Sequence, residues 1–563
     1  MIKRHITTAI AAMSAFFATA QGTLTGEVTV EREIVATERE ATPLNMLPRL
    51  NLPALPAAQL DFSSRPVRAR VEALTAFAEP ARREDVFATD SWRGYASLFA
   101  GPLWNASLNA GYRLIDNRRT RLSAWVGYTG EVYRRAFIPD AEKIYWRDHD
   151  AGLGLNFDHD LGSHRGRLSI DAEYHFGRTN GYHSDATRYW VNTNRGRLSA
   201  EWHRAIDAFT LATRLHYSYF ASNPISLGWK GTSQNVYGFS ANGRMIVSDK
   251  SRVGADIALD MSTTGPKYLF DPAGQIWSDS QTDGSSTVGL VTLTPLYELH
   301  NGTVRLSIGP RLQFTFNGDK FFHITPAVDF GWRISPLVAL SATLTGGEHS
   351  NGLYGLYSIA RRMVPGLSYS YSHIPLDARL GVCVGPWKGA WFKLFGGWAR
   401  ANNWMMPTDT GRDITAIAFK PVDIKGFTGG VEAGYAWGTY LEASARWQTA
   451  PTGYGRGYYL WHDNARHVVD IKAQIRPIRQ LTVSADWQWR VHRSLYTPLP
   501  FDLGYISENL HNASWLNLQA SWAFSERLSV SLRAENLLNR HSTMIDATAS
   551  RGATVLAGAS YRF

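Results

Sequence analysis

The feature that most constrains this chain is a two-residue alternation that recurs from about Trp92 to the C-terminus. The stretch RLSIDAEYHF sets Leu168, Ile170, Ala172, Tyr174 and Phe176 on one face, with Arg167, Ser169, Asp171, Glu173 and His175 on the other. LTVSADWQWR repeats it, with Leu481, Val483, Ala485, Trp487 and Trp489 against Thr482, Ser484, Asp486, Gln488 and Arg490. Side chains alternate faces along a strand, whereas a helix would space them near 3.6. The chain is therefore read as many strands of about ten residues, each with an apolar and a polar face. The connections carry the rest of the argument. Short ones (DNRR, SDKS, HNG, PIRQ, SER) alternate with long ones such as RAFIPDAEKIY, RTNGYHSDAT and MSTTGPKYLFDPAGQIWSDSQTDG. NGDK and AGPLWN are short where long ones are due. A soluble sandwich has no reason for that asymmetry. A membrane barrel does, with tight periplasmic turns and longer outer loops. The expected fold is all-β: a transmembrane antiparallel β-barrel of about 22 strands over residues 91–563, with both ends in the periplasm.

Composition fits. No stretch reaches the roughly 18 consecutive apolar residues of a membrane helix. Aromatic residues are 12% of the chain, with 20 Trp and 25 Tyr, as interfacial girdles require. The start, MIKRHITTAIAAMSAFFATA, has basic Lys3, Arg4 and His5, an apolar run from Ile6 to Phe17, and the small-residue pattern Ala18-Thr19-Ala20. Residues 1–20 read as a secretory signal peptide. Residues 21–90 hold Pro48, Pro53 and Pro56 and read as an extended periplasmic or lumenal segment. Cys383 is the single cysteine, so neither a disulfide framework nor a thiolate metal site is expected. The net charge of +10 is scattered rather than clustered, which argues against a nucleic-acid partner.

Chemistry-bearing motifs are few. Asp148-His149-Asp150 and Asp158-His159-Asp160 resemble metal sequences. On a strand, though, each histidine faces away from its flanking aspartates, so neither triplet converges on an ion. No metal and no cofactor are expected. His175, His203, His216 and His492 lack a nucleophile at recognisable spacing, and no enzyme is expected. The stretch GLYGLYSIARRMVPGLSYSYSH concentrates Tyr354, Tyr357, Arg361, Arg362, Tyr369 and Tyr371 in an outer loop. Aromatic and arginine side chains dominate binding hot spots, so these six are candidates for a ligand or lipoprotein contact.

The last strand puts Val555, Ala557, Ala559 and Tyr561 on one face and ends on Phe563. Tyr561 and Phe563 resemble the assembly signal of bacterial outer-membrane barrels. That implies outer-membrane lipid and the barrel assembly machinery as partners, and the bacterial outer membrane as location. One strand earlier, LRAENLLNRH resembles the E-N-L-x-N run of TonB-dependent outer-membrane receptors, carried by Glu535, Asn536, Leu537 and Asn539. The resemblance covers roughly Trp92 to Phe563 and implies a receptor-like transport channel for a nutrient or other solute. Such receptors carry a plug domain of well over a hundred residues before the barrel. Only about 70 residues lie between Ala20 and the first strand here. The chain thus resembles plugless receptor-like barrels of the Bacteroidota kind. Glu33, Ile34, Val35, Ala36 and Thr37 resemble a TonB box, which implies TonB as an edge-pairing partner. A surface lipoprotein or other envelope proteins are the remaining partners. The alternative function is a barrel subunit of an outer-membrane assembly or secretion complex without solute transport. In either case a lumen this wide needs a filler: the N-terminal segment, inward-folded loops, or another protein.

Overall fold

The computed structural model describes residues 92–136, 143–162, 166–182, 188–225, 231–265, 286–318, 320–363, 371–409, 417–449, 464–498, 505–540 and 551–563. The expected signal peptide, the segment 21–90 with its TonB-box-like residues, and Tyr369 lie outside the described residues.

The strands are β1 (Gly94–Ala100), β2 (Ala106–Asp116), β3 (Thr120–Ala136), β4 (Lys143–Asp160), β5 (Arg167–Tyr182), β6 (Arg188–Ile206), β7 (Phe209–Ile225) and β8 (Thr232–Ser248). Then come β9 (Ser251–Gly265), β10 (Ser286–His300), β11 (Val304–Phe316), β12 (Phe322–Ser335), β13 (Val338–Ser350), β14 (Tyr371–Trp387), β15 (Ala390–Asp409) and β16 (Ile417–Trp437). The last are β17 (Leu441–Thr449), β18 (Asn464–Ile478), β19 (Leu481–Pro498), β20 (Tyr505–Leu510), β21 (Ala513–Ala523), β22 (Leu528–Glu535) and β23 (Thr554–Arg562). One short helix, α1 (Leu353–Ile359), interrupts the series between β13 and β14.

Successive strands pair antiparallel, and β23 returns to β1 with Tyr95 opposite Arg562 and Ala100 opposite Ala557. β20 and β21 both pair with β19, as two halves of one broken strand. The result is a closed barrel of 22 strands. Closure satisfies every edge, which is the condition for strands to cross lipid. From the strand bounds, connections at the end where β1 begins and β23 ends run from two to six residues, and those at the opposite end from five to twenty. The short–long alternation of the sequence is thus the two ends of the barrel.

Strand length differs from expectation. β3 is 17 residues and β16 is 21, whereas about 9–11 suffice to span the bilayer. The surplus lies on the outer side: about half of RAFIPDAEKIY and of RTNGYHSDAT, read as loops, belongs to the outer ends of β3, β4 and β5. Pairing continues beyond the membrane because polar backbone groups there still gain from a ladder partner.

The outward face is apolar. Leu153, Leu155, Tyr174, Phe176, Leu198 and Leu215 are exposed side by side across β4 to β7. Exposed Trp332, Trp387, Trp437, Phe524 and Tyr561 sit near the periplasmic turns, at the level where amphipathic rings meet headgroups. The opposite face is a polar lumen wall: Ser169 donates to Asp158 (2.6 Å), Asn156 to Asp171 (2.6 Å), and Arg197 pairs with Glu173 (3.6 Å). A closed 22-strand barrel with this outer band is an architecture of the bacterial outer membrane. At the seam, Arg93 and Gly94 donate their N–H groups to the Phe563 carbonyl (2.9 and 2.8 Å), and the Phe563 N–H returns to Gly94 (2.9 Å). The Phe563 ring stacks with Tyr561 and Tyr112. A Cβ on Gly94 would come within 2.4 Å of that ring, so glycine is what lets the terminal ring lie against β1.

Candidate functional site

The site is the outer half of the lumen, where residues 351–363, which follow β13, fold inward. Leu353, Leu356, Tyr357 and Ala360 recur at helical spacing, which puts them on one face of α1 and buries that face. They form one cluster with Phe220 of β7, Met363, Met405 of β15 and Phe419 of β16. The helix start is fixed from across the lumen: the Leu353 N–H donates to Oε1 of Gln234 on β8 (2.7 Å). At its root, Nδ2 of Asn351 donates to the Ser372 hydroxyl (3.0 Å).

The polar side of this segment meets the polar wall of β4 to β6. The Thr193 hydroxyl donates to the Tyr357 hydroxyl (3.1 Å). The Arg197 guanidinium lies 3.8 Å from the Tyr354 ring centre, and Arg195 lies 5.3 Å from that of Tyr357. Arg195 in turn pairs with Asp150, which also accepts from His175 (3.1 Å). Arg361 pairs with the buried Asp148 (2.9 Å). Arg362, 2% exposed, donates to the Asn180 carbonyl (2.8 Å) and lies 4.8 Å from the ring centre of Trp146, itself 1% exposed. Burying arginine costs several kcal/mol unless its hydrogen bonds and charge are met. Here the Asn180 carbonyl supplies a hydrogen bond and the Trp146 ring a cation–π contact.

Among the loop candidates, Tyr357 and Arg362 are buried as docking groups, Tyr354 and Arg361 are partly exposed, and Tyr371 is buried at the start of β14. The Asp148-His149-Asp150 triplet splits: Asp148 and Asp150 point to the lumen partners above, while His149 bonds Tyr128 (3.0 Å). Sequence reasoning missed Gln234, Thr193, Arg195 and Arg197 as docking partners, because nothing local ties them to residue 353 or 357. The i, i+3, i+4, i+7 spacing from Leu353 was the available signal for α1.

At the other motif, Glu535 is buried between Arg533 (2.6 Å) and Arg551. Arg551 also reaches Asn105 (3.2 Å), which bonds both the N–H and the carbonyl of Val132 on β3 (2.9 Å each). Asn536 and Asn539 take positive φ (47° and 49°), a conformation asparagine tolerates. Asn536 donates to the carbonyls of Arg540 and Arg551 (2.8 and 2.7 Å), and Asn539 accepts from Ala553 (3.0 Å). Leu537 is exposed, with its N–H on Leu516 (2.8 Å). The motif ties the two ends of the β22–β23 connection to the first hairpin.

No family model matches the chain, and no curated protein matches it in sequence. Solved structures do match in fold. The siderophore receptor PirA of Acinetobacter baumannii superimposes with a TM-score of 0.62 at 8% identity, over 84% of this chain and 80% of that one. The FrpB iron transporter of Neisseria meningitidis gives 0.64 at 11% identity, over 84% and 81%. The outer membrane transporter YddB of Escherichia coli gives 0.59 at 11%, over 84% and 81%. At such identities the likeness is one of fold: the chain has the 22-strand barrel of outer-membrane receptors and transporters.

Proposed function

We propose that this chain is a receptor-type channel that admits a nutrient or other solute across the outer membrane, held shut by the inward-folded segment 351–363. The single observation that carries the reading is the docking of α1 and Arg361–Arg362 on the lumen wall. A subunit with no traffic through its lumen has no need of a polar, ion-paired and therefore releasable closure. The fold shared with siderophore and iron receptors supports the same reading, as does the receptor-like run at Glu535, Asn536, Leu537 and Asn539. TonB, through Glu33 to Thr37, and a surface lipoprotein are the partners this reading implies.

The test is conductance of the purified full chain in planar bilayers, together with partner recovery in mild detergent from native outer membranes. The expected result is a closed wild-type barrel, a conducting Arg361→Ala/Arg362→Ala variant, and recovery alone or with TonB or a solute-binding lipoprotein. A variant as silent as wild type, recovered with stoichiometric assembly proteins, overturns it in favour of a structural subunit of an envelope complex.

A further inference from the structure

A second cluster sits at the root of the same segment and serves none of its docking contacts. His323 near the outer end of β12, Glu348 near the end of β13 and His373 near the start of β14 bring one ligand atom each within 4.8 Å of one another. Nε2 of His323 is 3.1 Å and Nδ1 of His373 is 2.7 Å from the same Glu348 oxygen. The two rings lie 4.3 Å apart between centres. Ligand atoms around a tetrahedral zinc ion, bound at about 2.0–2.1 Å, stand a little over 3 Å from one another. The two nitrogen–oxygen separations therefore need only a small expansion to admit an ion.

Two features show a built site rather than a chance meeting. First, alternation along β13 would turn Glu348 to the lipid side with Leu344, which is exposed. The register shifts between Thr345 and Gly347, and Gly347 takes φ +140°. An irregularity of this kind re-aims a side chain, and here it brings an acidic group inward, 4% exposed, opposite two imidazoles. The Glu348 N–H is held by Gln313 (2.6 Å). Second, the two imidazoles come from different strands yet turn Nε2 of His323 and Nδ1 of His373 to one and the same Glu348 oxygen, so the three donor atoms already converge. The recess continues past the three side chains along Thr315, Asn402 and Asn403, which leaves room for a water or a fourth donor. Lys320 lines it too but is exposed, and its flexible stem lets the ammonium turn to water.

We infer that His323, Glu348 and His373 form a binding site for one divalent first-row transition-metal ion of the zinc class. Two imidazoles, one carboxylate and an open position suit such an ion and not calcium or magnesium, which take oxygen ligands. The three ligands come from three adjacent strands, so a bound ion fixes the strand ends from which the segment 351–363 springs. The inference does not depend on transport, and its test reads binding directly.

The experiment uses the full chain in detergent, stripped with chelator and then titrated with Zn2+ by calorimetry and with Co2+ by visible absorption. One equivalent is expected, with the intense d–d bands of four-coordinate Co2+. His323→Ala, His373→Ala and Glu348→Gln should each weaken binding more than about 100-fold, since losing an outer-shell partner alone costs about 10- to 100-fold. Heat-modifiable electrophoretic mobility confirms that each variant is a folded barrel. If one misfolds, His323→Gln and His373→Gln serve in its place. Absence of one-equivalent binding, octahedral Co2+ spectra, or folded variants that bind like wild type overturns the site.

Discussion

The two ends of the barrel are closed by different kinds of bond. At the periplasmic end the side-chain bonds that shape the turns are local. Oδ1 of Asn117 accepts from the N–H groups of Arg119 and Thr120 (3.0 and 2.7 Å), Asn301 does the same for Thr303 and Val304 (3.2 and 2.7 Å), and Ser525 for Arg527 and Leu528 (3.2 and 3.0 Å). Each spans two or three residues. At the outer end there are local bonds too, such as Asn536–Arg540, but the bonds that dock the connections on the wall join residues far apart in the chain: 119 residues for Gln234–Leu353, 164 for Thr193–Tyr357, 182 for Asn180–Arg362 and 446 for Asn105–Arg551. The periplasmic end is specified turn by turn, whereas the outer end is specified only once the barrel has closed. The outer end is therefore where stability and occlusion can be changed without unmaking the strands.

The sharpest way to break that contrast is Glu535→Ala. It leaves Arg533 and Arg551 buried without their carboxylate, and breaking a buried pair in this way costs about 3–5 kcal/mol. The expected outcome is a urea midpoint well below wild type for the barrel refolded in detergent. Glu535→Gln, which keeps the shape and hydrogen bonding, should lose less. A wild-type midpoint for Glu535→Ala would show that the outer link to the first hairpin contributes nothing.

Next in size is Arg362→Ala. It removes a buried charged hydrogen bond and a contact with the Trp146 face, together worth about 2–4 kcal/mol of docking free energy. The effect should stay within residues 351–363. Amide exchange in α1 should rise by about two orders of magnitude or more while β4 to β6 keep their protection. Loss of protection throughout the barrel would mean that the segment is part of the global fold and not a closure laid upon it. Thr193→Val is the milder version. Deleting the hydroxyl that meets Tyr357 should cost about 1 kcal/mol and raise exchange in α1 several-fold.

The contrast also decides what could be read from the sequence. Strand existence, the polar and apolar faces, the closed 22-strand architecture and the short–long asymmetry follow from period-two patterning and local turn residues. Both are properties of neighbours in the chain. Strand ends were misplaced on the outer side because nothing in RAFIPDAEKIY or RTNGYHSDAT marks where lipid stops while pairing goes on. The segment 351–363 was legible as aromatic and basic. Its inward dock was not, because Gln234, Thr193 and Asn180 are related to it only through barrel closure. Glu348 was hidden more thoroughly. Alternation places it on the lipid face, and only the irregularity at Gly346–Gly347 brings it to His323 and His373.

The smallest expected effect is the control that makes the contrast exact in energy as well as in geometry. Asn301→Ala removes a side-chain cap from a three-residue turn, including the Thr303 hydroxyl contact (3.0 Å). The turn is solvent-exposed, so water replaces the lost acceptor and the cost should be about 0.5–1 kcal/mol. Because the bonds are local, the change should appear as faster exchange at Thr303 and Val304 and nowhere else. Exchange in α1 and bilayer conductance should match wild type. If Asn301→Ala instead loosened α1, the two ends would be energetically coupled through β10 and β11, and the outer closure would depend on strand register rather than on its own contacts. The same comparison at Asn117, a turn on the other side of the ring, would then show whether that coupling is general or confined to β10 and β11.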